Sequence, residues 1–243
     1  MLGVGKSAVW QWFIAGKHPA AGDFFTLGRQ TPMAGALTNW LRQGAEHLTD
    51  SRERLSASCS WRFWSQTSER GVITCGLVKN SCDSVGRPFP LLLLGTGPLR
   101  HWEENWELLP FVAEGLWGQM EQLTVRNYQA LKRLAEDLPA LRPPRPAWRE
   151  AAPVSSADRQ RLRETIGHRL RSFEAEQAVF IPLTEGGSVD LFEAVSNLHL
   201  LFKEMIAQPP RAVFLGGQPA RPALALFNRA LNRHDFERLW ADA

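Results

Sequence analysis

Hydrophobic residues along this chain occur in short segments with strand character and in longer segments with helical spacing. Segments rich in β-branched and aromatic residues predict strands at 9–14, 59–64, 71–78, 90–95, 178–182 and 212–215. Apolar residues three and four positions apart predict helices at 102–117, interrupted or restarted at Pro110, and at 123–138, 158–171, 189–206, 222–231 and 235–240. Another helix, of about 15 residues, is predicted to begin at Thr31 and Pro32, which suit the N-cap and the first helical position.

The order of these elements indicates a fold class. Strands and helices alternate in both halves of the chain, and the short connection between 59–64 and 71–78 favours an antiparallel hairpin. We therefore expect an α/β fold in which a mixed β-sheet carries helices packed on both faces, a three-layer sandwich. Gly216 and Gly217 predict a turn after the last strand.

One domain is expected over residues 1–243. Residues 1–138 contain most of the distinctive polar motifs. The proline-rich stretch 139–157 is predicted to be a linker or an excursion over the surface, and 158–243 are expected to complete the fold.

Composition excludes several functional classes. Hydrophobic residues make up 44% of the chain and charged residues 22%, as in ordinary globular proteins, and a net charge of +3 is too small to indicate nucleic-acid binding. Ten tryptophans favour either a large aromatic core or a binding surface. Three cysteines without a CxxC pair suggest reduced thiols. With no convincing targeting or transmembrane segment, we expect a soluble, cytoplasmic protein.

Motifs for catalysis, metals or cofactors are lacking. The six histidines are scattered without metal-ligand spacing, and no nucleophile elbow or dinucleotide loop is present, so we expect no catalytic residue, metal or cofactor. His199 borders the apolar face of its predicted helix and is expected to be a bonded, partly buried residue. The arginine-rich residues 139–173 are most simply a solvated helix face, with an acidic protein partner as the alternative.

The densest polar cluster is the stretch from Asn80 to Leu91, which separates two predicted strands. Asp and Ser in such a turn can bond neighbouring amides, while Gly supplies a positive φ. Together with Asp23, the acidic residue Asp83 and the basic residue Arg87 could form a cleft for a small ligand or for acid–base chemistry. Alternatively, each carboxylate braces its own loop by accepting backbone amides.

Four motifs between residues 16 and 91 together resemble the TagF (ImpM) family, accessory proteins of bacterial type VI secretion. In order along the chain they are Gly16-Lys17, Gly22-Asp23-Phe24, Trp61-Arg62-Phe63 and Ser81-Cys-Asp83-Ser-Val-Gly86-Arg87-Pro-Phe89-Pro90-Leu91. One departure is Asn80, which stands where the family usually has proline.

The resemblance implies a cytoplasmic α/β protein that is not an enzyme. It implies a post-translational, negative regulator of the secretion apparatus that binds a forkhead-associated-domain protein. The motif residues that form a possible interface are Gly16, Lys17, Gly22, Asp23, Phe24, Ser81, Asp83, Gly86, Arg87, Phe89 and Pro90. We expect the two loops, around Asp23 and Asp83, to lie together at one end of the sheet, with Asp23 as the counter-charge of Arg87. Whether they hold the fold or contact a partner is left open by the sequence.

Overall fold

The computed structural model describes residues 9–50, 58–148, 159–186 and 190–240. Within them, eight strands form one sheet in the order β2-β1-β5-β4-β3-β7-β8-β6. The strands are β1 Gln11–Gly16, β2 Phe25–Gly28, β3 Ser60–Gln66, β4 Val72–Lys79, β5 Leu91–Pro98, β6 Ala178–Pro182, β7 Ala212–Gln218 and β8 Arg221–Phe227.

Helices connect these strands and cover the sheet. They are α1 Pro32–Asp50, α2 Leu109–Val112, α3 Glu114–Val125, α4 Leu131–Asp137, α5 Arg159–Glu176, α6 Leu191–Met205 and α7 Arg233–Trp240. Three short 3₁₀ turns lie at Trp106–Leu108, Leu138–Ala140 and Leu183–Gly186. Helix α1 begins as predicted, because Thr31 Oγ1 accepts the amide of Ala34 at 3.2 Å and Pro32 occupies the first turn.

The predicted α/β fold is confirmed, and its sheet is antiparallel at every strand pair that the structure describes. The expected mixed sheet was therefore wrong in this detail. Two adjacent parallel strands must be joined by a crossover connection of about a dozen residues or more. The connections 17–24, 67–71, 80–90 and 219–220 are shorter than that, and each simply reverses the chain.

Helices pack on both faces of the sheet, as expected, because side chains alternate along each strand. One face carries Phe13, Phe63 and Phe214 and is covered by α1 and α7. The opposite face carries Ile14 and Leu93 and is covered by helices α2 to α6. Seven of the ten tryptophans are buried, so the high tryptophan content mainly supplies the core.

Three local predictions fail in the second half of the chain and at its centre. The helix expected at 123–138 is broken, since α3 ends at Val125 and α4 begins at Leu131. The helix expected at 222–231 is instead strand β8. The expected turn at Gly216 and Gly217 lies within strand β7, where Gly216 has a φ of +142° and passes close to the backbone oxygen of Ser60.

The described part of the proline-rich stretch lies against the core. Leu141 is buried, and the indole Nε1 of Trp148 donates to the backbone oxygen of Arg100 at 3.1 Å. Residues 149–157 of the predicted linker fall outside the described residues.

Gly44 on α1 makes room for α7, because a Cβ atom there would lie 2.2 Å from Cγ of Phe236. We expect Gly44→Ala to lower the free energy of unfolding by about 1–3 kcal/mol, since an extra methyl group in a close-packed core forces its neighbours to shift. Urea denaturation of the purified protein measures this change.

Gly118→Ala on α3 is the matched control, because no atom lies within 4 Å of its added Cβ. We expect this variant to gain about 0.5–1 kcal/mol, since alanine is the better helix former. An equal gain in Gly44→Ala would contradict the packing of α7 on α1.

Candidate functional site

The polar cluster forms a tight corner between strands β4 and β5, which we call the Asp83 corner and define as residues 80–90. Its two arms meet in an isolated antiparallel bridge between Cys82 and Pro88, and the amide of Phe89 donates to the oxygen of Ser81 at 3.0 Å. The Asp83 amide also donates to the oxygen of Arg87 at 3.2 Å. The corner is therefore a small hairpin with its own hydrogen bonds.

The side chain of Asp83 is inaccessible to solvent and lies at the centre of this hairpin. One carboxylate oxygen, Oδ1, accepts the amides of Val85 at 3.2 Å and Arg87 at 2.9 Å. The other, Oδ2, accepts Nε of Arg87 at 2.7 Å and Nζ of Lys17 at 3.0 Å. Both oxygens are fully engaged, so the carboxylate joins the end of β1 to the corner.

Burial alone would raise the pKa of Asp83, because it disfavours the charged form. The hydrogen bonds from the Arg87 amide, Lys17, the Arg87 guanidinium and the Val85 amide outweigh it and hold the pKa of this carboxyl well below its usual range. Asp83 is thus ionised at every pH near neutrality and cannot act as a proton donor there.

The loop that contains Asp23 lies against the corner, which confirms the expected position of the two loops. The Ser84 amide donates to the backbone oxygen of Ala21 at 2.8 Å, and Nη2 of Arg87 donates to the oxygen of Gly22 at 2.8 Å. Arg87 therefore joins the two loops through a backbone oxygen and the Asp83 carboxylate.

Asp23 pairs with Arg87, as expected, but it is the weaker of the two carboxylate partners. Its Oδ2 lies 3.6 Å from Nη2 of Arg87, and 71% of its side chain is exposed. Its other oxygen accepts the amide of Phe24 at 2.7 Å. Asp83 is the principal counter-charge because it is adjacent in the same hairpin and excluded from water.

Two motif glycines have conformational roles at this corner. Gly16 has a φ of +129°, and an added Cβ atom would lie 2.2 Å from the backbone oxygen of Pro90. Gly86 has a φ of +83° at the tip of the hairpin, with open space around it. A larger residue would clash at the first position and strain the backbone at the second.

Apolar side chains project from this rigid corner. Val85 is 72% exposed at the tip, and Phe24 is 41% exposed on the neighbouring loop. The Phe24 ring meets the ring of Phe89 edge-on, with centroids 5.5 Å apart. An ordered, partly apolar surface of this kind is suited to contact another protein.

Sequence reasoning missed two contacts made by residues of α7. Asn80 Oδ1 accepts a hydrogen bond from Nε1 of Trp240, which connects the corner to α7. Asp235 is buried and receives two hydrogen bonds from the guanidinium of Arg229, at 2.6 and 2.8 Å. No local signal predicts the first contact, since its partners are far apart in sequence.

Other candidate groups have structural partners. His199 is buried, its Nδ1 lies 2.9 Å from the backbone oxygen of Val195, and burial lowers its pKa to about 4. On the arginine-rich helix α5, Arg163 pairs with Glu204 and Arg169 with Glu185. Within the described ranges, no cluster of three or more His, Cys, Asp or Glu side chains could hold a metal ion, and no helix has the length and apolar character needed to cross a bilayer.

The fold and the corner together define a three-layer α/β protein with a hairpin, held by charged side chains, at one end of its antiparallel sheet. The profile of the TagF N-terminal domain, described as type VI secretion system-associated, matches residues 13–141. The chain therefore belongs to the TagF family of type VI secretion system-associated proteins. This confirms the resemblance carried by the sequence motifs, all of which lie in the matched residues.

The crystal structure of PA0076 from Pseudomonas aeruginosa PAO1 is among the solved structures with a similar fold. The two chains are 19% identical, with a TM-score of 0.55 over 96% of this chain and 94% of that one. The similarity thus includes the strands β6, β7 and β8, which follow the residues matched by the family profile. No curated protein matches this sequence.

The ionised Asp83 carboxylate makes the free energy of unfolding depend on pH, and its lowered pKa determines the direction of that dependence. The pKa of Asp83 is lowered in the folded protein. Its contribution to the free energy of unfolding is therefore complete above the pKa of an unfolded Asp, about 3.9, and is lost as the pH falls below that value. We expect Asp83→Asn to melt at a lower temperature than the wild type at pH 7. We expect the two melting temperatures to converge between pH 5 and pH 2, in a series of thermal melts at roughly unit steps.

Asp23→Asn is the matched control, since Asp23 is exposed and accepts one neighbouring amide. Its melting temperature is expected to follow the wild type across the series. If the melting temperatures of the wild type and Asp83→Asn changed in parallel with pH, the ionised Asp83 carboxylate would not contribute to folding.

Proposed function

We propose that this protein is a non-enzymatic, cytoplasmic accessory protein of type VI secretion that negatively regulates assembly of the apparatus after translation. In this proposal it acts by binding the forkhead-associated-domain component of the system. The observation that carries the proposal is membership of the TagF family, whose profile is described as type VI secretion system-associated. The partner and the sign of regulation are part of the proposal.

The geometry of the corner supports binding rather than catalysis. All the acceptor positions of Asp83 are occupied by donors from its own chain, and its lowered pKa leaves no proton to transfer. Three sizeable cavities formed by the described residues are lined by residues other than Asp23, Asp83 and Arg87. These observations disfavour the alternative of a small-ligand or enzymatic cleft at these residues.

The rigid corner offers a preformed surface for the partner. Arg87 and Lys17 fix the backbone around Asp83, so the exposed side chains of Val85 and Phe24 lose little freedom when a partner covers them. In this proposal the buried half of the corner maintains its shape, and the exposed half makes the contact.

The binding step is tested with the purified forkhead-associated-domain component by isothermal titration calorimetry. We expect Val85→Asp to weaken the complex at least about tenfold, because a charge would replace an apolar contact while leaving the Asp83 hydrogen bonds intact. Val125→Asp is the control, since Val125 is 70% exposed at the end of α3. Equal affinities of the wild type and Val85→Asp would exclude the corner as the contact.

The regulatory step is tested by deleting the gene in a strain that expresses an inducible apparatus and measuring the secreted tube protein. A negative regulator predicts more secretion after deletion, reversed by the wild-type gene and not by Val85→Asp. Loss of secretion would instead indicate a scaffold of the apparatus, and unchanged secretion would contradict regulation.

A further inference from the structure

An open groove lies on the helix-rich face of the sheet and is lined by residues outside the Asp83 corner. Its volume is about 420 Å³, within the usual range of binding pockets. The floor is formed by β3, β7 and β8, including Leu215 and Pro222, and α2, α3 and α6 form the walls. Arg62 also lines the groove. It belongs to one of the four sequence motifs, and that motif has no role in the Asp83 corner.

Apolar residues of two helices meet at the rim of the groove. The rings of Phe111 on α2 and Phe192 on α6 pack edge to face, with centroids 4.6 Å apart. Phe192 is 61% exposed and its neighbour Leu191 is 52% exposed, although both are large and hydrophobic. Adjacent exposed residues of this type are typical of a surface that a partner covers.

The hydrophobic stripe of α6 explains why these residues are exposed. Leu191 stands one turn before Val195, which together with Leu198 and Phe202 packs into the core. The stripe therefore continues one turn beyond the core that it serves. Asp190 fixes this first turn, because its side chain caps the helix by accepting the Phe192 amide at 2.8 Å.

Opposite these apolar residues lies a charged triad formed by Arg62 of the floor and Glu114 and Glu121 of α3. Arg62 donates to Glu121 through Nε at 2.7 Å and Nη2 at 3.1 Å, and to Glu114 through Nη1 at 2.6 Å. Because one guanidinium pairs with two carboxylates, these three side chains together carry one net negative charge. The glutamate side chains are about half exposed, at 52% and 42%, so they can still receive a cation from outside.

We propose that this groove is a docking site for a partner protein segment that combines a large apolar residue with a lysine or arginine. The apolar residue packs against Phe111, Leu191 and Phe192. The cation pairs with Glu114 and Glu121, whose charge Arg62 only half neutralises. The negative charge of the groove is complementary to the positive charge of such a segment. The inference does not depend on the identity of the partner proposed above.

The groove and the Asp83 corner lie at the same end of the sheet. Ser60, which lines the groove, is paired with Lys79 at the end of β4, and Lys79 is paired with Leu91 at the start of β5. With strands about 4.8 Å apart, the corner and the groove are only a few strands apart. A partner that contacts this end of the sheet can therefore bind to both the corner and the groove.

The test is selection of a random twelve-residue peptide library, displayed on phage, against the immobilised full-length protein. Enriched peptides are then synthesised and their affinities measured by fluorescence anisotropy for the wild type and its variants. We expect the enriched sequences to pair Leu, Phe or Met with Lys or Arg within four positions. Phe192→Ser should weaken their binding at least tenfold, and Glu114→Gln about two- to fivefold, as for an exposed ion pair.

Val9→Ser is the control, because it removes an exposed apolar side chain outside the groove, and it should leave peptide affinity unchanged. Thermal melts of each variant verify folding, and Glu114→Gln provides the second readout if Phe192→Ser unfolds. Failure to enrich any peptide, enrichment of peptides without a cation, or equal affinity of Phe192→Ser and the wild type would overturn the proposal.

Discussion

The buried carboxylate of Asp83 is the constraint around which the signature region of this protein is arranged. An ionised carboxylate out of contact with water is stable only when donors from the protein replace the lost hydration. Here Lys17, Arg87 and two backbone amides supply them. Meeting this one requirement fixes the end of β1, the hairpin between β4 and β5 and, through Arg87 and Gly22, the neighbouring loop.

The same arrangement leaves part of the corner exposed, as the proposed contact with a partner requires. The Asp83 carboxylate itself is buried, whereas the side chains of Val85 and Phe24 on the same loops are exposed. The corner is connected to the terminal helix by the hydrogen bond between Asn80 and Trp240, so its position is coupled to the layer formed by α1 and α7. The two proposed contact surfaces, the corner and the groove beside Phe192, lie at the same end of the sheet.

Local sequence rules predicted the elements whose signals are local. Thr31 and Pro32 marked the start of α1, and the β3–β4 hairpin followed from its short connection. The segment 222–231 was misjudged as a helix, although Leu224 and Leu226 face one side of β8 and Phe227 the other, which is a strand period.

Long-range contacts left no comparable signal in the sequence. The corner was foreseen because its polar residues are adjacent, and its proximity to the loop of Asp23 followed from the family resemblance. The order of the strands, the partner of Asn80 and the groove depend on contacts between distant residues, which periodicity does not encode. Amide hydrogen exchange of the free protein tests the central claim most directly. If the Asp83 carboxylate clamps the corner, the amides of Val85 and Arg87 exchange slowly although they lie in an exposed loop, while the Phe24 amide, bonded to the exposed Asp23, exchanges quickly. Fast exchange at Val85 and Arg87, comparable to that at Phe24, would contradict the account.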